Sequence, residues 1–168
     1  AHQEIAPILL RLGLKTEAVR HFERAIELRP NDASLRLTFA VALEDILLDE
    51  ATRQIHPDGI YFEQSTWYQR YTVDFYSHFL TLRSLQKKQE YDKRNADVDA
   101  RYAAALEAMM YFTRPDGTMP MIGDDDGGRA LPLAFDKPND HRGSLALGAA
   151  FIGRGDLKYV AGNNVNEI

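Results

Sequence analysis

The tripeptide Pro-Asp-Gly occurs twice, at residues 57–59 and 115–117. Proline fixes φ, aspartate can bond its own backbone, and glycine reaches positive φ at no steric cost. Each tripeptide follows a helical pattern and precedes a loop, and a helical hairpin's length of chain lies between them. The chain therefore repeats one unit: helix, helix, Pro-Asp-Gly loop. Such hairpins repeated along a line give a solenoid, and repeated around a ring they give an α/α toroid. The best candidate strand, 59–63, is too short to found a sheet. The expectation is an all-α fold of stacked antiparallel helical hairpins.

The helices follow from apolar spacing. Ile5, Ile8, Leu9 and Leu12 mark a first apolar face that ends at Gly13, a plausible C-cap. Thr16 is the expected cap of a second helix carrying Ala18, Phe22, Ala25 and Ile26, which stops before Pro30. A third runs from Ala33 to about Gln54 on Leu35, Leu37, Phe39, Leu43, Ile46 and Leu47. The fourth, Ser65 to Leu85, is dense in aromatics: Trp67, Tyr68, Tyr71, Phe75, Tyr76 and Phe79. Arg70, Asp74, Ser77, His78 and Thr81 form one narrow polar stripe on it, so this helix is expected in the interior with most of its circumference apolar. Lys87 to Asp97 is a polar connection. The fifth helix, about Ala96 to Thr113, places Tyr102, Leu106, Met109 and Met110 at helical spacing, with the methionines as core filler. A last helix spans about Gly143 to Gly153, and Asp156 to Ala161 can add a turn or two.

Charge and composition narrow the function. A net charge of −5 argues against a nucleic-acid groove and gives no sign of membrane-surface binding. A polyanionic ligand would have to be met by a local cluster of Arg, His and Lys. The absence of cysteine removes disulfides, thiolate metal sites and a cysteine nucleophile. No apolar run reaches the length of a membrane span. No cofactor is implied. Asp124, Asp125 and Asp126 lack the alternating ligand spacing of a calcium loop, so no metal site is expected.

Two resemblances stand beside this reading. Gly13, Ala18, Phe22, Ala25 and Pro30 resemble a tetratricopeptide repeat over about one and a quarter repeats, which places a tetratricopeptide-like hairpin and the start of the next helix in 1–44. Residues 53–79 (RQIHPDGIYFEQSTWYQRYTVDFYSHF), 113–133 (TRPDGTMPMIGDDDGGRALPL) and 142–158 (RGSLALGAAFIGRGDLK) resemble the helical domain of the heparinase II/III-like proteins. That resemblance assigns 45–168 to a partial toroid segment, normally followed by a β-sandwich domain that this chain lacks. It implies lysis of uronic-acid polysaccharide by β-elimination. In that reaction a base removes the C5 proton of the uronate and an acid protonates the departing glycosidic oxygen. No water is activated, so a glycosidase's carboxylate pair is not needed. The uronate carboxylate must be neutralised by Asn, His or Arg donors. A phenol titrates near ~10, so its use as the base needs nearby positive charge.

Carried onto this chain, the tyrosine of Glu63-x-Ser65-x-x-Tyr68 matches the family's catalytic position, with Tyr71 one turn on as the fallback. The same tyrosine reads equally as a core or cleft-lining residue. Glu63 is a candidate sugar ligand or a capping carboxylate beside the helix start. Trp67 could stack on a sugar ring or fill the core. His56, His78 and Arg129 are the candidates to meet the uronate carboxylate, and Asp124 is expected to be structural.

The family's Asn-His element upstream of the tyrosine is not found, since His2 is followed by Gln3 and Glu4. The β-sandwich histidine is absent with its domain. The chain therefore reads as a polysaccharide lyase or the carbohydrate-binding remnant of one, possessing an acidic polysaccharide as partner. A helical-repeat adaptor binding a protein partner through the N-terminal hairpin is the rival reading. The family resemblance alone suggests a periplasmic or secreted setting. The end at Ile168 carries no stop signal, so the domain is expected to continue.

Overall fold

The structure, a computed structural model, describes residues 1–85, 93–127 and 139–162. Its seven described helices are α1 (His2–Arg11), α2 (Lys15–Leu28), α3 (Ala33–Gln54), α4 (Thr66–Ser84), α5 (Lys93–Phe112), α6 (Arg142–Ile152) and α7 (Gly155–Ala161). Two isolated antiparallel bridges, Ile55–Tyr61 and Thr118–Asp140, are the β pairings recorded among the described residues. The fold is all-α, as the apolar spacing predicts. None of the described helices is long and apolar enough to cross a membrane. The chain divides into two compact units, Ala1–Glu50 and Ala51–Ile168.

In the first unit, α1 and α2 form a hairpin turned at Gly13, whose φ is +77°. Ala6, Phe22, Ala25, Leu35 and Ala42 make its core, with Leu10, Ile26 and Phe39 packed against them. Phe22 and Phe39 stack with ring centroids 5.1 Å apart. The buried face of α1 is the small one. Ala6 is buried, whereas Ile5, Ile8 and Leu12, expected inside, are exposed. On α3 the expected core residue Leu37 is likewise exposed, and Ala42 and Leu48 take the interior. Close packing of two helices favours the residue that lets the backbones approach, and alanine does so better than isoleucine. Thr16 does not cap α2, which begins at Lys15 with Leu14 before it and no side-chain cap bond. The cap of α3 is Asp32, whose Oδ1 accepts from the Leu35 N–H at 2.9 Å.

In the second unit, α4, α5 and α6 pack on one another and α7 folds back on α6. The two Pro-Asp-Gly loops are the same turn built twice. The Gly59 N–H donates to the His56 carbonyl at 2.9 Å, the His56 N–H to the Ile60 carbonyl at 2.9 Å, and the Ile60 N–H to Asp58 Oδ1 at 3.1 Å. In the second copy the Gly117 N–H donates to Arg114 at 2.8 Å, the Arg114 N–H to Thr118 at 2.7 Å, and the Thr118 N–H to Asp116 Oδ1 at 3.0 Å. Both glycines lie at positive φ, +86° and +85°. Both also let the loop touch a helix. A Cβ on Gly59 would sit 2.1 Å from the Ala104 carbonyl oxygen of α5, and one on Gly117 would sit 2.1 Å from Arg142 Nε of α6. Sequence patterning predicts the turn; the close approach, to a helix backbone at Gly59 and to an arginine side chain at Gly117, is a property of the fold.

The aromatic helix lies in the interior as expected, and most of its polar stripe is buried with it. Arg70, Asp74 and Ser77 are buried, while Tyr71, Phe75 and Leu82 are exposed. The stripe is inside because it is satisfied there: Ser77 Oγ pairs with the Tyr102 hydroxyl at 2.6 Å, and Ser144 Oγ donates to Asp74 Oδ1. A polar group enters a core when a partner awaits it. Tyr76, Val73, Leu80 and Trp67 complete the buried face of α4.

Gly59→Ala combines a left-handed backbone with a backbone clash, and is expected to cost about 3 kcal/mol or more. Gly153→Ala has the same sign of φ, +71°, but open space at Cβ, and should cost only about 1–2 kcal/mol. Denaturant unfolding of the two variants checks the difference.

Candidate functional site

The N-terminus of α4 gathers the polar chemistry of this unit. A helix leaves its first N–H groups without helical acceptors. Here Ser65 is the N-cap, and its Oγ accepts from the Tyr68 N–H at 3.2 Å. The same hydroxyl donates to the Asp124 carbonyl at 2.7 Å. Thr66 continues the pattern. Its N–H donates to the Ile122 carbonyl at 3.0 Å, its Oγ1 donates to the Pro120 carbonyl at 2.7 Å, and that oxygen accepts from the Ile122 N–H at 3.1 Å. The segment 120–124 is thereby tied to the helix start along its length. Gly123, at φ +75°, allows the contact, since a Cβ there would meet Ser65 Cα at 2.9 Å.

Behind this turn lies a buried clamp. Gln69 is buried, and its Oε1 accepts from the Tyr61 N–H at 2.6 Å. Its Nε2 donates to the Gly59 carbonyl at 2.8 Å and to the Ala105 carbonyl at 3.3 Å. One amide thus joins the first Pro-Asp-Gly loop, α4 and α5.

Tyr68 stands on the first turn of α4, partly exposed, and its hydroxyl donates to Asp126 Oδ2 at 2.5 Å. The hydrogen bond to Asp126 pushes its phenol up to about 12, with the charges of Asp126, Asp124 and Glu63 adding to the effect. Burial and not a carboxylate is the main reason that the Tyr102 phenol is also pushed up to about 12. Tyr68 is therefore a phenol with carboxylates beside it, protonated at neutral pH as an ordinary phenol is. Among the described residues, the charges acting on it are those of carboxylates.

The other candidates separate. Glu63 is exposed and close enough to act on Tyr68 through its charge. Tyr71 is exposed one turn further along. Trp67 lies in the interior with 4% exposure, its face covered by the Arg70 guanidinium at 4.4 Å and its edge region by His141 at 6.1 Å between centroids. The arrangement makes it a core residue rather than an open sugar platform. His56 is exposed in the first Pro-Asp-Gly loop. His78 is half-buried, with Nδ1 2.6 Å from the Asp74 carbonyl oxygen, ten residues and roughly 15 Å along the helix from Tyr68. His78 therefore does not stand beside Tyr68 on the helix. Arg129 lies outside the described residues. Asp124 contributes through its main-chain carbonyl, while Asp126 contributes the carboxylate. Among the described residues no group of three His, Asp or Glu side chains is placed to hold a metal ion.

Sequence reasoning missed Asp126, Thr66 and Gln69. Asp126 stands among three adjacent aspartates, and nothing in that run says which one reaches a residue 58 positions away. Gln69 carries no motif. Its only signal is an amide on the face of a helix otherwise filled by large side chains.

The Arg70–Asp74–Ser144 group couples α4 to α6 inside the unit, with Arg70 Nε 3.9 Å from Asp74 Oδ2. Removing one member of a buried charged pair strands the other, so Asp74→Ala is expected to cost about 3 kcal/mol. Ser144→Ala should cost about 1.5 kcal/mol, and the two should be non-additive in a double-mutant cycle. Tyr68→Phe should leave the unfolding midpoint unchanged, because the hydroxyl is outside the core. Denaturant titrations of the wild type and the four variants check all four statements.

Comparison with known proteins bears on what this site belongs to. A family model, the heparinase II/III N-terminus, matches residues 38–131, more than half of the chain. No curated protein and no solved structure gives a match. The matched span contains Glu63, Ser65, Tyr68, both Pro-Asp-Gly loops and the segment that carries Asp126. The chain belongs to the heparinase II/III N-terminal family.

Proposed function

We propose that this chain is the helical part of a polysaccharide lyase that cleaves uronic-acid-containing chains by β-elimination, with Tyr68 as the general acid. The observation that supports this reading most is the state of Tyr68. It is partly exposed, fixed by the capped first turn of α4, and kept protonated by a carboxylate 2.5 Å away. β-Elimination needs such a group. As the C5 proton leaves, the bond from C4 to the glycosidic oxygen breaks and a C4–C5 double bond forms. The departing oxygen takes the phenolic proton, and the tyrosinate left behind recovers one from water.

The carboxylates around Tyr68 assign it one role and withhold another. A base must spend time deprotonated, and a phenol pushed up to about 12 does not at neutral pH. The base, and the donors that neutralise the uronate carboxylate, are supplied by other groups of the lyase. Acidic residues beside the leaving-group oxygen do not oppose binding there if the uronate's own carboxylate points away from them. Glu63 and Tyr71 flank Tyr68 and are positioned to meet the sugar on either side of it.

The test is release of unsaturated uronate, followed by ultraviolet absorbance over a panel of polyuronates. Tyr68→Phe should lower the rate by at least about 100-fold without changing the fold. Because the acid must be protonated and its phenol lies at about 12, the rate should show no loss from Tyr68 as pH rises through ~10, where an ordinary phenol ionises. Full activity in the phenylalanine variant would remove Tyr68 from the chemistry. No product from any polyuronate would leave the chain a binding module.

A further inference from the structure

We propose that Asp126 is a positioning residue for Tyr68, delivered by the tied segment 120–124, and that it confines Tyr68 to the acid half of the elimination. The proposal rests on the reading of Tyr68 as the proton donor. The geometry is specific. Ser65 and Thr66 donate hydrogen bonds to the carbonyls of Pro120, Ile122 and Asp124, and Thr66 Oγ1 accepts one from the Ile122 N–H. The Ser65 and Thr66 side chains that make these bonds are buried. The backbone is thus fixed two residues before Asp126, and Gly123 admits it against the helix start where a larger residue would collide with Ser65.

A phenol hydroxyl has two favoured orientations, both in the plane of its ring. An acceptor on one side selects one of them and leaves the other facing outward. In the resting site Asp126 takes the hydrogen bond. When a glycosidic oxygen gathers negative charge, it becomes the stronger acceptor, and the hydroxyl turns from Asp126 to it and gives up its proton. The tyrosinate then lies beside a carboxylate, which makes it short-lived and speeds recovery of a proton from water. Coupled transfer from C5 to Tyr68 and on to Asp126 would end with a protonated carboxylic acid, whose ordinary value near ~4 makes it far too weak a base for a carbon acid. The pair therefore favours donation.

The experiment is a spectrophotometric titration of tyrosinate, taken as the difference between each protein and its Tyr68→Phe counterpart, so that Tyr68 is seen apart from the other seven tyrosines. Circular dichroism first establishes that each variant is folded. Wild type should show Tyr68 titrating near 12. Asp126→Asn should bring it to about 10, raising the ionised fraction at pH 10 from about one per cent to about half. Gly123→Ala, which touches neither Tyr68 nor Asp126, should move it the same way by lifting the segment off Ser65. An unchanged midpoint in both variants overturns the proposal. With product formation measured in parallel, the alkaline fall in rate should move with the titration. A shift in titration in a protein that makes no product upholds the Tyr68–Asp126 pair and rejects the lyase reading. Product formation with no shift does the reverse.

Discussion

The second unit depends on how the first turn of one helix is finished. The N–H groups at the start of α4 need acceptors, and the chain supplies them from the Ser65 side chain and from a segment more than fifty residues away. Satisfying Thr66 with the Ile122 carbonyl places the whole 120–124 stretch. Placing that stretch brings Asp126 to Tyr68. A local requirement of helix geometry thus becomes a long-range constraint, and the Tyr68 phenol and the Asp126 carboxylate arrive together. Without the cap, Tyr68 would be one more surface phenol with an ordinary affinity for its proton.

The rest of the unit holds this corner in place. Gln69 fixes the first Pro-Asp-Gly loop against α4 and α5. The second Pro-Asp-Gly loop leads from α5 toward the segment that caps α4, and it is itself held at the start of α6. There the Asp140 carboxylate accepts from the Arg142 guanidinium, from Nε at 2.9 Å and from Nη2 at 2.5 Å among others, and His141 is buried beside Trp67. The Asp74–Ser144 bond closes the circuit from α6 back to α4. The two copies of the turn thus serve two ends of one arrangement, one behind the first turn of α4 and one feeding its cap.

Much of this was legible in the sequence, and the failures have physical causes. Apolar spacing located every helix to within a few residues, because the period is a property of the backbone and survives whatever packs on it. Pro-Asp-Gly named the turn, and Glu63-x-Ser65-x-x-Tyr68 named the cap and the tyrosine. Which way α4 faces was not legible: Arg70, Asp74 and Ser77 are inside because Tyr102 and Ser144 meet them, and those partners lie on other helices. The outward turn of Ile5 and Ile8 accompanies the close approach of α1 and α2 over Ala6, which a count of large apolar residues overlooks. The pairing of Tyr68 with Asp126 could not be read from a run of three aspartates, since only the tied segment decides which of them points at the phenol.

The central claim is that residues 120–124 are bonded to the start of α4 in solution. Amide hydrogen exchange at Thr66 and Ile122, followed by NMR, addresses it most directly. The N–H of Thr66 donates to Ile122 and the N–H of Ile122 to Thr66, so both should be protected and should exchange together, and Thr66→Val should release Ile122. Exchange of Ile122 at the rate of an open chain in the wild-type protein would contradict the account, because the segment would then be detached and Asp126 would have no fixed place beside Tyr68.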